Sequence, residues 1–188
     1  MFFITVDGLL LRPIALSDAP RFAELVNDLS LARFTARIPH PYTLADAEAF
    51  VRLAADEMTN GEERRFAVCR ADDIVACVGL RRGGAAGEYE LGYWVGANYR
   101  GGGVATAAAR ATTWFGFEKL NARKVTAGHF VDNPASGRIL RKIGFRATGE
   151  TVPTYSLARG CDVATPRFEI QREMQLLTAD IAITAAGD

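Results

Sequence analysis

The stretch from Glu88 to Phe115 constrains this chain more than any other. Glu88-Tyr89-Glu90-Leu91-Gly92-Tyr93-Trp94-Val95 alternates, with Tyr89, Leu91, Tyr93 and Val95 on one face and Glu88, Glu90 and Trp94 on the other. That pattern predicts a two-sided strand. Arg100-Gly101-Gly102-Gly103-Val104-Ala105 follows, and Val104, Ala108, Ala111 and Phe115 then mark a helix running to about Lys119. A helix entered through glycines presents free backbone N–H groups and lets a ligand approach them closely, which suits a pyrophosphate. A tight turn with no ligand has the same composition. Two nucleotide loops do not fit: the Walker loop needs Lys-Ser/Thr where Val104-Ala105 stands, and the dinucleotide fingerprint needs Gly or Ala where Thr106 stands.

Around this unit the periodicities alternate. Leu9 to Ile14 predicts a first strand, and Ser17 an N-cap for a helix using Phe22, Leu25, Val26 and Leu29. Pro39-His40-Pro41-Tyr42 breaks the chain, and Thr43 with Asp46 predicts a capped helix carrying Ala47, Phe50, Val51 and Ala54 on one face. Arg65–Arg70 and Ile74–Arg81 predict a hairpin, and Lys124–Phe130 a strand. Asn133-Pro134 opens a helix through Ile139, Leu140 and Ile143 that stops at Gly144. Phe145–Thr151 and Phe168–Leu176 read as final strands joined by a long loop. The expected order is βααβββαβαββ, a single α/β (α+β) domain over residues 1–188 with a mixed sheet of about seven strands and about four helices.

Composition narrows the function. Lys plus Arg and Asp plus Glu both total 22, so the net charge is zero, which argues against a nucleic-acid binder. No apolar run approaches the roughly 20 residues of a membrane span. The first residues, with no basic segment and an early Asp7, do not read as a signal peptide. Cys69, Cys77 and Cys161 form no CxxC pair, so free thiols in a reducing cytoplasm are expected, with neither a disulfide frame nor a metal site.

Glu90-Leu91-Gly92-Tyr93-Trp94-Val95, Arg100-Gly101-Gly102-Gly103-Val104-Ala105-Thr106, Asn133-Pro134-Ala135-Ser136 and Lys142-Ile143-Gly144-Phe145, in this order, resemble the segments of GCN5-related N-acetyltransferases (GNAT). Leu9-Leu10-Leu11-Arg12-Pro13, Asp18-Ala19, Ile38 to Thr43 and Asp46-Ala47 resemble the RimJ/RimL-type branch, which acetylates ribosomal-protein N-termini. The resemblance implies an acyltransferase using acetyl-CoA as co-substrate. Arg100, Gly101, Gly103 and Ala105 match the loop that cradles the coenzyme A pyrophosphate, with Gly102, Val104 and Thr106 beside them. Val95 matches the residue that bonds the pantetheine arm through its backbone. Two central parallel strands are expected to splay apart around the thioester.

The acceptor amine must lose a proton, and a positioned carboxylate can take it. Glu90 matches the general base of histone-acetylating relatives, with Glu88 a lesser candidate. Many relatives carry a Tyr acid on the last helix, and Leu140 stands there. Ser136, catalytic or coenzyme-contacting, and Asn133, cap or coenzyme contact, remain candidates, as does His129 for proton transfer. Phe34, His40, Tyr42 and Trp94 are implied near the acceptor pocket, with Arg37 beside them. The acceptor is expected to be a primary amine, foremost a protein N-terminal α-amine. A small-molecule amine, an aminoglycoside, or a non-catalytic acyl-CoA sensor are the alternatives. Family analogy adds a homodimer pairing through terminal strands.

Overall fold

Phe2–Val6 (β1) and Leu9–Pro13 (β2) form a hairpin closed by Asp7 and Gly8, at φ 48° and 72°. Asp-Gly is the favoured pair for such a two-residue turn. The expected first strand, Leu9–Ile14, is therefore the second. The computed structural model describes residues 2–173 and 180–185.

The expected helix from Ser17 to Leu29 is three pieces. Leu16–Asp18 is a 3₁₀ turn, so Ser17 lies inside it and Asp18 takes the N-cap position of Ala19–Val26 (α1). Asp18 is buried because it bonds Arg12 Nη1 and Nη2 at 2.7 and 2.8 Å and the Ala15 N–H at 2.8 Å. Leu29–Ala32 (α2) is a separate short helix capped by Asp28. Leu44–Asn60 (α3) has the expected capping box: Thr43 Oγ1 accepts from the Asp46 N–H at 3.2 Å, and Asp46 accepts from the Thr43 N–H at 2.8 Å.

Glu63–Arg70 (β3), Asp73–Arg82 (β4) and Glu88–Val95 (β5) form a meander. Val104–Lys119 (α4), Lys124–Gly128 (β6) and Pro134–Lys142 (α5) follow. α5 ends as expected, with Gly144 at φ 102°. The Phe145 N–H donates to the Leu140 carbonyl and the Gly144 N–H to that of Arg141, at 3.0 and 3.1 Å, a Schellman motif. The long loop expected after Thr151 is instead a hairpin of Arg146–Ser156 (β7) and Cys161–Gln171 (β8). Part of the expected strand Phe168–Leu176 (residues 174–176) lies outside the described residues. Ala182–Ala185 (β9) pairs with β1. The described residues thus form a mixed α/β fold with a nine-stranded sheet in the order β7-β8-β6-β5-β4-β3-β2-β1-β9, larger than the seven strands expected.

Alternation divides the core into two layers. Leu11, Val68, Val78, Leu80 and Leu91 face α4 and α5, whereas Ala67, Cys69, Ile74 and Cys77 face α1 and α3. α4 is buried nearly all round and lies close to the sheet through Ala107, Ala108, Ala111 and Gly116. A Cβ on Gly116 would stand 2.7 Å from Leu80 Cδ1, so any larger residue here must displace the Leu80 side chain.

Candidate active site

The site lies where the sheet opens. β5 and β6 run parallel, paired over Glu88↔Lys124, Tyr89↔Val125 and Glu90↔Thr126 only. Beyond Glu90, β5 continues along β4 to Val95 while β6 turns to β8 through Ala127 and Gly128. The backbone of β5 from Leu91 to Val95 therefore faces a fork with no strand partner on that side. Unpaired N–H groups of this kind can polarise a carbonyl.

At the open end of the fork stands the glycine turn. Gly101 and Gly103 both have φ 80°, and a Cβ at either would meet nothing within 4 Å, so the turn shapes an open hollow rather than a packed corner. Gly103 is the N-cap of α4, no side chain caps this helix, and the first helical bond is Ala107 N–H to Gly103 carbonyl at 3.0 Å. The N–H groups of Val104, Ala105 and Thr106 are thus available at the positive end of a 16-residue helix. These features fit a pyrophosphate. The Arg100 side chain turns away from the hollow: Nη1 donates to Ser30 Oγ at 3.0 Å, Nη2 lies 3.6 Å from Asp28, and Nε donates to the Val95 carbonyl at 3.3 Å. Arg70, which the sequence reading did not single out, brings Nη2 within 3.8 Å of the place a Cβ on Gly102 would take.

At the vertex, Glu90 is clasped by two guanidiniums. Arg81 is its cross-strand neighbour and bonds Oε2, and Arg167 of β8 reaches Oε1 at 2.8 Å. Burial alone would raise this carboxyl, but the hydrogen bonds from Arg81 and Arg167 outweigh it, and the pKa falls below the ordinary 4.5. Glu90 is therefore anionic through the neutral range. Taking a proton outright from an α-ammonium of ordinary pKa near 8 would be strongly uphill. The carboxylate is better suited to accept a hydrogen bond from the incoming amine and to hold water that carries its proton away. The vertex opens on the sheet face into a cleft of about 770 Å³, whose wall includes Glu88, Lys124, Glu169 and Arg146. Lys124 Nζ bridges Glu88 and Glu169 at 2.7 and 3.9 Å.

On the opposite side of the fork, Asn133 caps α5, with Oδ1 accepting from the Ser136 N–H at 3.4 Å. Ser136 Oγ meets the Tyr93 hydroxyl at 2.9 Å, bridging α5 and β5. Leu140, at the position of the usual Tyr acid, is fully buried. His129 Nδ1 lies 2.8 Å from the Phe130 carbonyl, and its ring packs against Phe168 and the Gly137 backbone.

The residues proposed for the acceptor pocket do not lie together in one cavity. Tyr42 and Trp94 belong to the layer under α1 and α3, where with Phe22, Val26, Ile38 and Phe50 they line a space of about 20 Å³. Burial pushes the Tyr42 phenol up to about 12. His40 is exposed, Arg37 reaches Glu63 at 3.4 Å, and Phe34 lies half-buried after α2. The loop carrying Phe34 is held by the tip of the β7–β8 hairpin. Arg159 Nε donates to the Arg33 carbonyl at 2.6 Å, Nη1 lies 3.0 Å from Asp132, and the guanidinium covers the Phe34 and Phe130 rings at 5.5 and 5.2 Å. The Leu157 N–H adds a bond to the Ala36 carbonyl at 3.0 Å. Arg159→Ala is expected to destabilise the fold by about 1–3 kcal/mol, as a melting curve will show, and to leave the acetyl-CoA KM within about twofold.

A phosphate-ready helix start, a strand fork and a carboxylate at its vertex suit transfer from a coenzyme A thioester. The family model described as an acetyltransferase (GNAT) domain matches residues 8–146. The chain belongs to the GNAT acetyltransferase family, and is an acetyl-CoA-dependent acyltransferase. It is 28% identical over 147 residues to an uncharacterized N-acetyltransferase of Bacillus subtilis (strain 168), YnaD, covering 78% of this chain and 84% of that one. It is 30% identical over 146 residues to the spermidine N(1)-acetyltransferase of Escherichia coli (strain K12), covering 74% of each. Among solved structures, RimL, a ribosomal L7/L12 alpha-N-protein acetyltransferase in complex with coenzyme A, superposes with a TM-score of 0.81 at 17% identity, covering 90% of this chain and 97% of that one.

Proposed function

We propose that this enzyme transfers acetyl from acetyl-CoA to a protein N-terminal α-amine, by direct attack in a ternary complex. The single observation that carries this reading is the open, charge-balanced cleft at the fork vertex. It extends along the sheet face past Glu90, so an extended peptide can enter amine first. Lys124 pairs with Glu88 and Glu169, and Arg81 and Arg167 pair with Glu90, so the wall offers a polycation no excess of negative charge. A spermidine-like acceptor is the second reading, favoured by the 30% identical relative.

In this mechanism the turn from Gly101 to Thr106 holds the pyrophosphate and the β5 edge at Val95 guides the pantetheine arm. Glu90 orients the amine and the water that takes its proton. The neutral amine attacks the acetyl carbon, and Ser136 faces the departing sulfur. A cysteine intermediate has no support: burial pushes the Cys77 thiol up to about 12 and raises that of Cys69 as well, so neither offers a thiolate. Among the described residues, no group of three or more His, Cys, Asp or Glu is placed to hold a metal ion. No described helix is long and apolar enough to cross a membrane. With all three cysteines unpaired, the reading places the enzyme in the cytoplasm.

The test is kcat/KM over a panel of short peptides with free N-termini, spermidine and an aminoglycoside. The best peptide is expected to exceed spermidine by about tenfold or more. A spermidine value above every peptide would move the assignment to polyamines.

A further inference from the structure

Packing explains the Tyr93 ring but not its hydroxyl. The ring faces the α4 layer, while the hydroxyl crosses the mouth of the fork to Ser136, 2.9 Å from Oγ and 3.5 Å from the carbonyl oxygen. Its strand has already left β6 at Glu90, and α5 follows β6, so this contact joins the two arms of the fork. A pantetheine arm running from the glycine turn past Val95 toward Glu90 passes Tyr93, two residues earlier on the same face. Leu140 leaves the helix without a hydroxyl one turn further on.

We propose that Tyr93 is a positioning residue for the departing thiolate: its hydroxyl donates to Ser136 Oγ and thereby turns the Ser136 O–H toward the sulfur of coenzyme A. This rests on the proposed placement of Ser136 at that sulfur. As the amine nitrogen bonds the acetyl carbon, the carbon–sulfur bond breaks and its electron pair stays on sulfur. The amine proton leaves toward Glu90 and water, and the thiolate is later protonated from solvent. Neither hydroxyl gives up its proton. Burial keeps the Tyr93 phenol above its ordinary value of 10.0 although the Ser136 bond opposes this, whereas a thiol titrates near 8.5, so net transfer would run uphill. Two hydroxyls in series stabilise the charge by hydrogen bonding alone.

The experiment compares coenzyme A with desulfo-coenzyme A by calorimetry between about pH 6.5 and 9.5, for wild type, Tyr93→Phe and Ser136→Ala. Both ligands meet the same neighbours, His129 against Gly137 included, so their affinity ratio isolates the sulfur. In the wild type the affinity ratio of the two ligands should rise about tenfold with pH, as the thiolate forms and is preferred. It should stay flat in both variants. Steady-state rates should show kcat about tenfold lower in Tyr93→Phe, with the acetyl-CoA KM within about twofold, and the double variant no slower than Ser136→Ala. A wild-type ratio and kcat in Tyr93→Phe, or a flat ratio in the wild type, overturns the proposal. Failure of the wild type to bind either ligand overturns the cofactor placement itself.

Discussion

Gly103→Glu should abolish usable acetyl-CoA binding, weakening it by about a hundredfold or more. Gly103 sits at φ 80°, where an L-residue is strained, and it caps the helix whose first N–H groups face the phosphate hollow. A glutamate there sets a carboxylate against two phosphates and tightens the backbone that must approach them. Because a Cβ at this position meets nothing within 4 Å, the fold itself should survive, and circular dichroism with a melting curve will show that. Gly103→Ala isolates the backbone strain from the charge and should lie between the two. Calorimetric affinity within about threefold of wild type for the glutamate variant would remove the pyrophosphate from this turn.

Glu90→Gln should leave acetyl-CoA affinity within about twofold and lower kcat by about a hundredfold. The amide keeps the shape but surrenders the charge between Arg81 and Arg167, so the incoming amine loses its carboxylate acceptor and meets two uncompensated cations. Because the Glu90 pKa is held below 4.5, the carboxylate is ionised at every pH from neutral upward, and the wild-type acid limb near pH 8 belongs to the acceptor amine. The deficit of the variant is therefore largest at low pH, where more amine arrives protonated, and shrinks as the amine deprotonates unaided. A deficit independent of pH would assign Glu90 a purely structural part.

The local signals in the sequence were readable because each is complete within a few residues. Thr43 with Asp46, and Asn133-Pro134 with Gly144, carry both ends of their hydrogen bonds, and α3 and α5 start or stop where those residues require. The two-sided strand Glu88–Val95 was legible by alternation alone. β1 was overlooked although Asp7-Gly8 signals a hairpin, because Asp7 was weighed only as an interruption of an apolar run. Phe145–Thr151 reads as a strand, but its continuation to Ser156 hides for a physical reason: β7 is an edge strand exposed almost throughout and broken by Pro153 just past Thr151, so no alternation carries it on.

The site was half legible. Glycine turn, Glu90 and Ser136 stand out as residue types in order, and the structure puts Glu90 where β5 leaves β6 and Ser136 against Tyr93. Their partners do not announce themselves. Arg81 could be found by counting across the β4–β5 hairpin, but Arg167 and Arg70 are brought in by tertiary pairing that no local pattern encodes. Tyr93 reads as sheet packing until α5 is placed opposite it.

The most direct measurement is a thermal melt with acetyl-CoA, followed by thiol release in the same sample when a peptide amine is added. Saturation at a hundredfold excess over Kd should stabilise the fold by about 2.7 kcal/mol, and free thiol should then appear only with both acetyl-CoA and amine present. No shift of the melt and no amine-dependent thiol would contradict the account at its root.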